Sequence, residues 1–158
     1  IALFEKQQVL RKEELHARYE VEMENYILKR QIETHVLLQM ARGSILPAAV
    51  DYQSQLLMNV QGLNDVLGKE AAKYSGAQLD LIKKAGTLIQ QMHAEANALQ
   101  STHDDLESIE SVAKKAKGYA EKVMPLMESL GATCAELEVT VDDALWPLPK
   151  FTELLFTR

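Results

Sequence analysis

The chain has 158 residues, of which 47% are apolar, and its net charge is −6 at pH 7. This length suits about one domain with a buried core. Residues 104–143 hold ten acids and four bases, which argues against nucleic-acid binding, because phosphate contacts need clustered bases. No stretch approaches the roughly 20 apolar residues of a membrane span, so we expect no membrane contact. The single cysteine, Cys134, rules out an internal disulfide and fits a reducing cytoplasm.

The first part of the chain predicts one long helix after a short lead. Residues 1–11 are mildly apolar, and because no Met precedes Ile1 we interpret them as a connector from an upstream part of a longer polypeptide. From Lys12 onward, apolar residues recur at gaps of three and four, which is typical of an amphipathic helix. Their neighbours on the other face are densely charged, as expected of a solvated surface.

Residues 43–47 leave two interpretations open. Gly43 and Ser44 could end the helix and begin a new one that reverses, with Pro47 in its first turn. Alternatively, one helix continues with a kink at Pro47. We favour the kink, because the apolar positions keep one helical phase through the break. These positions are Leu37, Ala41, Ile45, Ala48, Tyr52, Leu56, Val60, Leu63 and Leu67.

Gly68 has the place of a glycine that ends a helix. A second helix is predicted from about Lys69 to Leu99. Residues 100–105 (QSTHDD) are polar, and we predict a turn there. The core positions predicted for this helix are Tyr74, Leu81, Ala85, Leu88, Met92 and Leu99, with Ile82, Ile89 and Ala96 beside them.

The most regular pattern of the chain lies in residues 106–141. Apolar residues there alternate at gaps of three and four, so one face of a helix turns towards partner helices. Pro125 is predicted on the solvent-exposed face, where water can replace the lost hydrogen bond and the helix should not break. The core positions are Leu106, Ile109, Ala113, Ala116, Ala120, Val123, Met127, Leu130, Cys134, Leu137 and Val141.

Residues 142–158 differ in character from the helices before them. Pro147 and Pro149 stand two residues apart and favour extended backbone at the residues that precede them. Because several large apolar side chains follow each other here, we predict that this tail docks on the helices or on another part of the protein. The predicted docking residues are Trp146, Leu148, Phe151 and Phe156.

The residues themselves predict no chemistry. No glycine-rich phosphate loop is present, and Glu13 with His16 is the single Glu-x-x-His pair, where a di-iron bundle needs two. His35, His93 and His103 are scattered and have no evident partner in the sequence. We therefore predict no catalytic residue, no cofactor-binding residue and no metal ligand. The predicted fold is all-α, an antiparallel bundle of three to four long helices over residues 12–141 with an extended, Pro-containing C-terminal tail.

The tail also carries a resemblance. Residues 141–151 (VDDALWPLPKF) and the ending LLFTR resemble the C-terminus of type III glutamine synthetases. The segments around Arg18-Tyr19-Glu20, Gln31-Ile32-Glu33 and Ile45-Leu46-Pro47 resemble the same region of that family. Ala144 and Phe151-Thr152 depart from the family pattern.

The resemblance implies a function that the residues alone do not. It implies the structural C-terminal helical domain of a cytoplasmic, homo-oligomeric enzyme that joins ammonia to glutamate with ATP and Mg or Mn. The active site would lie in the upstream catalytic domain, to which residues 1–11 would be the connector. This chain would contribute to scaffolding or subunit packing, with the catalytic domain and neighbouring subunits as partners. The alternative is a stand-alone helical-bundle interaction or adaptor module unrelated to that enzyme.

Overall fold

A computed structural model describes residues 11–155, except for the side chains of Phe151 and Thr152. Every regular element within that range is helical, as the sequence predicts, and no strand occurs in it. The helices are α1 (Lys12–Met40), α2 (Leu46–Leu67), α3 (Gly76–Glu107), α4 (Val112–Gly118), α5 (Met124–Thr140) and the short α6 (Phe151–Leu154). Two π-helical turns, Ala41–Ile45 and Tyr119–Val123, connect α1 to α2 and α4 to α5, and a 3-10 turn, Gly68–Lys73, follows α2.

The helix continues through residues 43–47 and does not reverse. The π turn Ala41–Ile45 passes directly into α2, and the N–H of Leu46 donates to the carbonyl of Ala41, five residues back. Pro47 follows at once, and in a regular α-helix its ring would clash with the carbonyl four residues back, that of Gly43. Gly43 lies within the wider π turn, so its carbonyl does not have the regular α-helical position in which the ring would clash with it. Of the two interpretations of this break, the continuous helix is therefore the correct one.

Pro125 is accommodated by the same device. The N–H of Met124 donates to the carbonyl of Tyr119, again five residues back, and Pro125 follows within the first turn of α5. Glu121, whose carbonyl the proline ring would meet, lies within the π turn. Pro125 is exposed, as predicted, and the helix is not broken there.

The turn between the second and third long helices lies later than predicted. α3 extends through residues 100–105 to Glu107, and the chain turns at residues 108–111. The prediction of a turn at 100–105 is wrong, because these polar side chains bond to partners on the helix surface instead of capping a helix end. Gln100 donates to Asp104 at 2.9 Å and accepts from Arg42 at 3.2 Å.

The core is one apolar cluster to which all the long helices contribute. α3 packs against α2 and α5, whereas α4 packs against α1. The buried apolar members on α3 are Leu88, Met92, Ala96, Leu99 and Leu106, and those from residue 116 onward are Ala116, Tyr119, Val123, Leu130, Cys134, Leu137, Val141 and Trp146. Most of the predicted core positions of these segments are therefore confirmed.

Four predicted core positions are wrong. Tyr74 lies before α3 begins and is 60% exposed, and Leu81 is 36% exposed on the first turns of α3. Ala113 and Ala120 are exposed as well. In place of Ala120 the fold buries Tyr119, because the π turn shifts the inward face by one residue.

Candidate functional site

The segment after α5 turns back towards the core. Val141 is buried, and the N–H groups of Leu145 and Trp146 both donate to the carbonyl of Asp142, at 3.0 and 3.1 Å. The carboxylate of Asp142 accepts the N–H of Ala144 at 2.7 Å, so this side chain closes the turn. Trp146 is left 9% exposed as a member of the apolar cluster.

Lys150 fastens the other end of this turn. Its ammonium group forms an ion pair with Asp143 and donates to the carbonyl of Val141 at 3.4 Å. The lysine that ends the Trp-Pro-Leu-Pro-Lys motif thus bonds back to the residue where the helix ends. The paired acids Asp142 and Asp143 thus have different partners, because Asp142 closes the turn and Asp143 pairs with Lys150.

The four predicted docking residues have different outcomes. The structure places Trp146 in the apolar cluster and packs half-buried Leu148 against it. Phe151 begins α6, but its side chain is outside the described residues, and Phe156 is outside them altogether. Docking through these two phenylalanines stays a prediction.

Beside Trp146 lies a groove of about 390 Å³, which we call the Trp146 groove. Its lining is almost entirely apolar and comes from α1, α5, the tail and α6; it includes Leu37, Met40, Cys134, Trp146, Leu148, Pro149 and Leu154. The indole Nε1–H of Trp146 is buried, and it has no acceptor among residues 11–155. A buried donor without an acceptor costs about 1–3 kcal/mol.

A polar cluster surrounds Tyr119, the first residue of the π turn that precedes α5. Tyr119 is fully buried, and its hydroxyl donates to Glu107 Oε1 at 3.0 Å. The hydroxyl oxygen is also 2.9 Å from Nδ1 of His103, which is 3% exposed. Since the hydroxyl proton is directed to the carboxylate, Nδ1 of His103 carries a proton and donates. Gln31 of α1 donates to the same Glu107 oxygen at 2.5 Å, so the cluster joins three elements.

His35 completes this cluster from α1. Its ring lies edge-on to that of His103, with the centroids 4.8 Å apart, and its Nδ1–H donates to the carbonyl of Gln31 at 3.0 Å. His35 and His103, which have no evident partner in the sequence, are therefore neighbours in the fold. His93 is exposed and its ring bonds to the side chain of Asn97 at 3.1 Å, as a surface histidine would.

The electrostatics of the cluster favour one charged group. Burial, together with the neighbouring His35, lowers the pKa of His103. Hydrogen bonds from Gln31 and Tyr119 lower the pKa of Glu107, despite partial burial. Burial and the bond to Glu107 raise the pKa of Tyr119 well above its usual value. At neutral pH the cluster is a neutral histidine, a neutral tyrosine and a carboxylate, buried too deeply for a substrate to contact its histidine.

A second polar group fastens α3 to α5. Glu95 accepts hydrogen bonds from Ser129 at 2.6 Å and from buried Thr133 at 2.7 Å, and Gln91 donates to both Glu95 and Thr133. These bonds lower the pKa of Glu95 although its partial burial opposes this. Every member has a protein partner, so this group is structural.

Cys134 lies on the core face, as predicted. Burial raises the pKa of its thiol to about 11, and Sγ lies 3.8 Å from the sulfur of Met92. A thiol with this pKa is almost entirely protonated at neutral pH, and the thiolate is the reactive form. Cys134 therefore acts as a small apolar side chain.

No group of three or more His, Cys, Asp or Glu side chains within residues 11–155 is arranged to hold a metal ion. None of the helices described is both long and apolar enough to cross a membrane.

His103 and Tyr119 are the residues that sequence reasoning missed. The signal for His103 was present, since the apolar series Leu88, Met92, Ala96 and Leu99 continues at the same spacing through His103 to Leu106. Tyr119 stands three residues after Ala116 and four before Val123, which are helical spacings too, but the predicted series took Ala120 in its place.

Comparison with known proteins agrees with the resemblance seen in the sequence. Residues 1–64 match the sequence model of the glutamine synthetase C-terminal domain. A glutamine synthetase of Bacteroides fragilis is 34% identical over 153 residues, which is 96% of this chain and 21% of that protein. A type-3 glutamine synthetase of Dictyostelium discoideum is 25% identical over the whole chain, which covers 22% of that protein.

A glutamine synthetase of Butyrivibrio fibrisolvens is 23% identical over 99% of the chain and is likewise covered over 22% of its length. The chain is thus homologous to glutamine synthetases, and the predicted resemblance is confirmed. It spans about a fifth of the length of these relatives.

Proposed function

We propose that this chain is the structural C-terminal helical domain of a type III glutamine synthetase and carries no active site itself. The observation that carries this proposal is the 34% identity to a glutamine synthetase over 96% of the chain. The parent reaction would be the ATP-dependent ligation of ammonia to glutamate in the cytoplasm. ATP and Mg or Mn would bind in the catalytic part, since the described residues supply no set of metal ligands.

The role of the domain would be scaffolding within a homo-oligomer. Its three long helical stretches, α1–α2, α3 and α4–α5, would form an antiparallel bundle that presents a rigid surface to the catalytic part and to neighbouring subunits. The buried polar groups around Glu107 and Glu95 support this role, because their hydrogen bonds run between helices. The tail at residues 142–158 would dock and complete that surface.

The coding sequence upstream of Ile1 tests the assignment directly. A glutamine synthetase catalytic core is expected there in the same reading frame. If the upstream sequence encodes no such core, the chain is the alternative, a stand-alone helical interaction module, and the proposal is wrong.

Nucleotide binding provides a second test. Calorimetric titration of the isolated chain with Mg·ATP is expected to give no saturable heat, because the sequence contains no phosphate-binding loop. The same titration of the full-length enzyme is the positive control. A micromolar isotherm with the isolated chain would contradict a purely structural role.

A further inference from the structure

The outward side of α1 carries a continuous apolar stripe. Leu28 and Ile32 are each 55% exposed, Val36 is 47% exposed and Met40 is 37% exposed. Their spacing of four residues places them in one row, which extends about 18 Å at 1.5 Å per residue. We call this row the α1 face. Single exposed apolar residues are ordinary on a protein surface, but an unbroken row of four marks an interaction surface.

The α1 face runs into the Trp146 groove without a gap. Met40 is the last residue of the row and also lines the groove, together with Leu148 and Leu154. The two features therefore form one apolar surface that crosses from α1 to the tail. Leu154, at the end of α6, is 54% exposed.

The indole of Trp146 shows that this corner is incomplete among residues 11–155. The indole N–H of Trp146 is buried without an acceptor among the described residues. Buried donors in native proteins nearly always have a partner. The same tail is otherwise well bonded, through Asp142 and Lys150.

The size of the surface limits what can occupy it. A row of four half-exposed side chains and an adjoining groove offer a few hundred Å². A stable complex between free proteins buries about 800 Å² on each partner, so a second copy held by this surface alone would dissociate. A segment joined to the same polypeptide needs far less, because the linkage keeps its effective concentration high. The relatives contain such additional chain, about four-fifths of their length.

We propose that the α1 face and the Trp146 groove together bind the catalytic part of the same glutamine synthetase, within one polypeptide. This inference rests on the proposed function and adds the surface through which the domain is attached. The occupant is an apolar segment of the catalytic part, which covers Ile32 and Val36 and extends over Met40 to Leu148.

Site-specific photocrosslinking in the full-length enzyme tests this surface. Benzoylphenylalanine replaces Ile32 in one variant and Met40 in another, and irradiated samples are digested and mapped by mass spectrometry. The control probe replaces Lys117, whose side chain is 72% exposed on α4. All three positions are exposed, so none of the variants should unfold the domain. Crosslinks to the catalytic part are expected at positions 32 and 40 in several-fold higher yield than at 117.

The other outcomes overturn the inference. Crosslinks from position 32 to this same C-terminal region of another subunit would identify a second copy as the occupant. Crosslinks to residues 1–10 or 151–158 would show that the chain covers its own surface, and equal yields at all three positions would show that nothing covers it. Because the upstream coding sequence is read independently, a catalytic core without these crosslinks refutes the surface and leaves the proposed function intact.

Discussion

Two adjoining segments of α3 hold their neighbours by different means. Residues 88–99 contribute Leu88, Met92 and Leu99 to the apolar cluster, where contact is non-directional and depends on buried area. One turn later, His103 and Glu107 bond to Tyr119 and Gln31 with fixed geometry. Apolar burial supplies most of the free energy of folding, whereas the hydrogen bonds select one register of three helices, because a shift of one residue breaks them all.

The largest effect is expected in the apolar cluster to which residues 88–99 contribute. Leu130 is fully buried in the cluster, and even Leu→Ala at such a site costs about 2–5 kcal/mol. Leu130→Asp also buries an unpaired carboxylate, so it should prevent folding in a domain whose total stability is about 5–15 kcal/mol. Circular dichroism at rising temperature measures this.

Glu128→Ala, two residues earlier on the exposed side, is the matched control and should change the stability by less than about 0.5 kcal/mol. Equal thermal midpoints for the two variants would mean that the core face of α5 has been misassigned.

Tyr119→Phe, on the π turn that faces the polar segment of α3, should have a smaller but clear effect. It keeps the buried ring and removes the hydroxyl, which leaves the Nδ1–H of His103 without its acceptor. A buried donor left unpaired costs about 1–3 kcal/mol, which urea unfolding can measure. Tyr74→Phe is the control, since Tyr74 is 60% exposed, and it should be neutral. A neutral Tyr119→Phe would show that the cluster adds nothing to stability.

The smallest effect is a pH dependence that belongs to the polar segment alone. The pKa of His103 is lower in the folded protein than its usual value near 6.5, so the unfolded chain binds more protons at acidic pH. The stabilising contribution is therefore complete above about pH 6.5 and is lost as the pH falls through the folded pKa. His35 and Lys115 favour the neutral form, while Glu107 and Asp104 oppose it.

Unfolding free energies between pH 7.5 and 5.5 should thus decline, by no more than about 1.4 kcal/mol per pH unit from one proton. His103→Gln removes the titrating group, so its curve should be flatter over this range. The depressed pKa of Glu107 acts in a separate window, at and below its usual value of 4.5. Parallel curves for the two proteins would show that His103 is not the group responsible.

The apolar cluster could be predicted from the sequence, whereas of the polar cluster only the inward position of His103 could. The alternating gaps of three and four located Leu130, Cys134 and Leu137, because the position of a residue on a helix face follows from its number. The same rule failed at Ala120, which stands in a π turn, where side chains are spaced differently around the axis and Tyr119 is buried instead.

The prediction of a turn at residues 100–105 failed for another reason. Polar side chains are typical of turns, but here their partners are side chains such as Arg42 and Tyr119, which are distant in the chain. Such pairings overrule local preference and are visible only once the helices are packed. The sequence predicted that the tail docks, but it did not predict the Trp146 groove. The α1 face, which adjoins this groove, looks like ordinary surface in the sequence.

The two π turns also make the chain unequally tolerant of changes in length. A π turn contains one residue more than an α turn. Deleting one residue from Ala41–Ile45 would therefore leave an ordinary α-helix whose two flanking faces stay aligned. Pro47→Ala would restore the backbone N–H donor that the proline lacks. Losing one residue elsewhere in α1 would rotate everything beyond it by about 100° and turn the core face outward. Insertions and deletions among homologues should therefore collect just ahead of the two prolines.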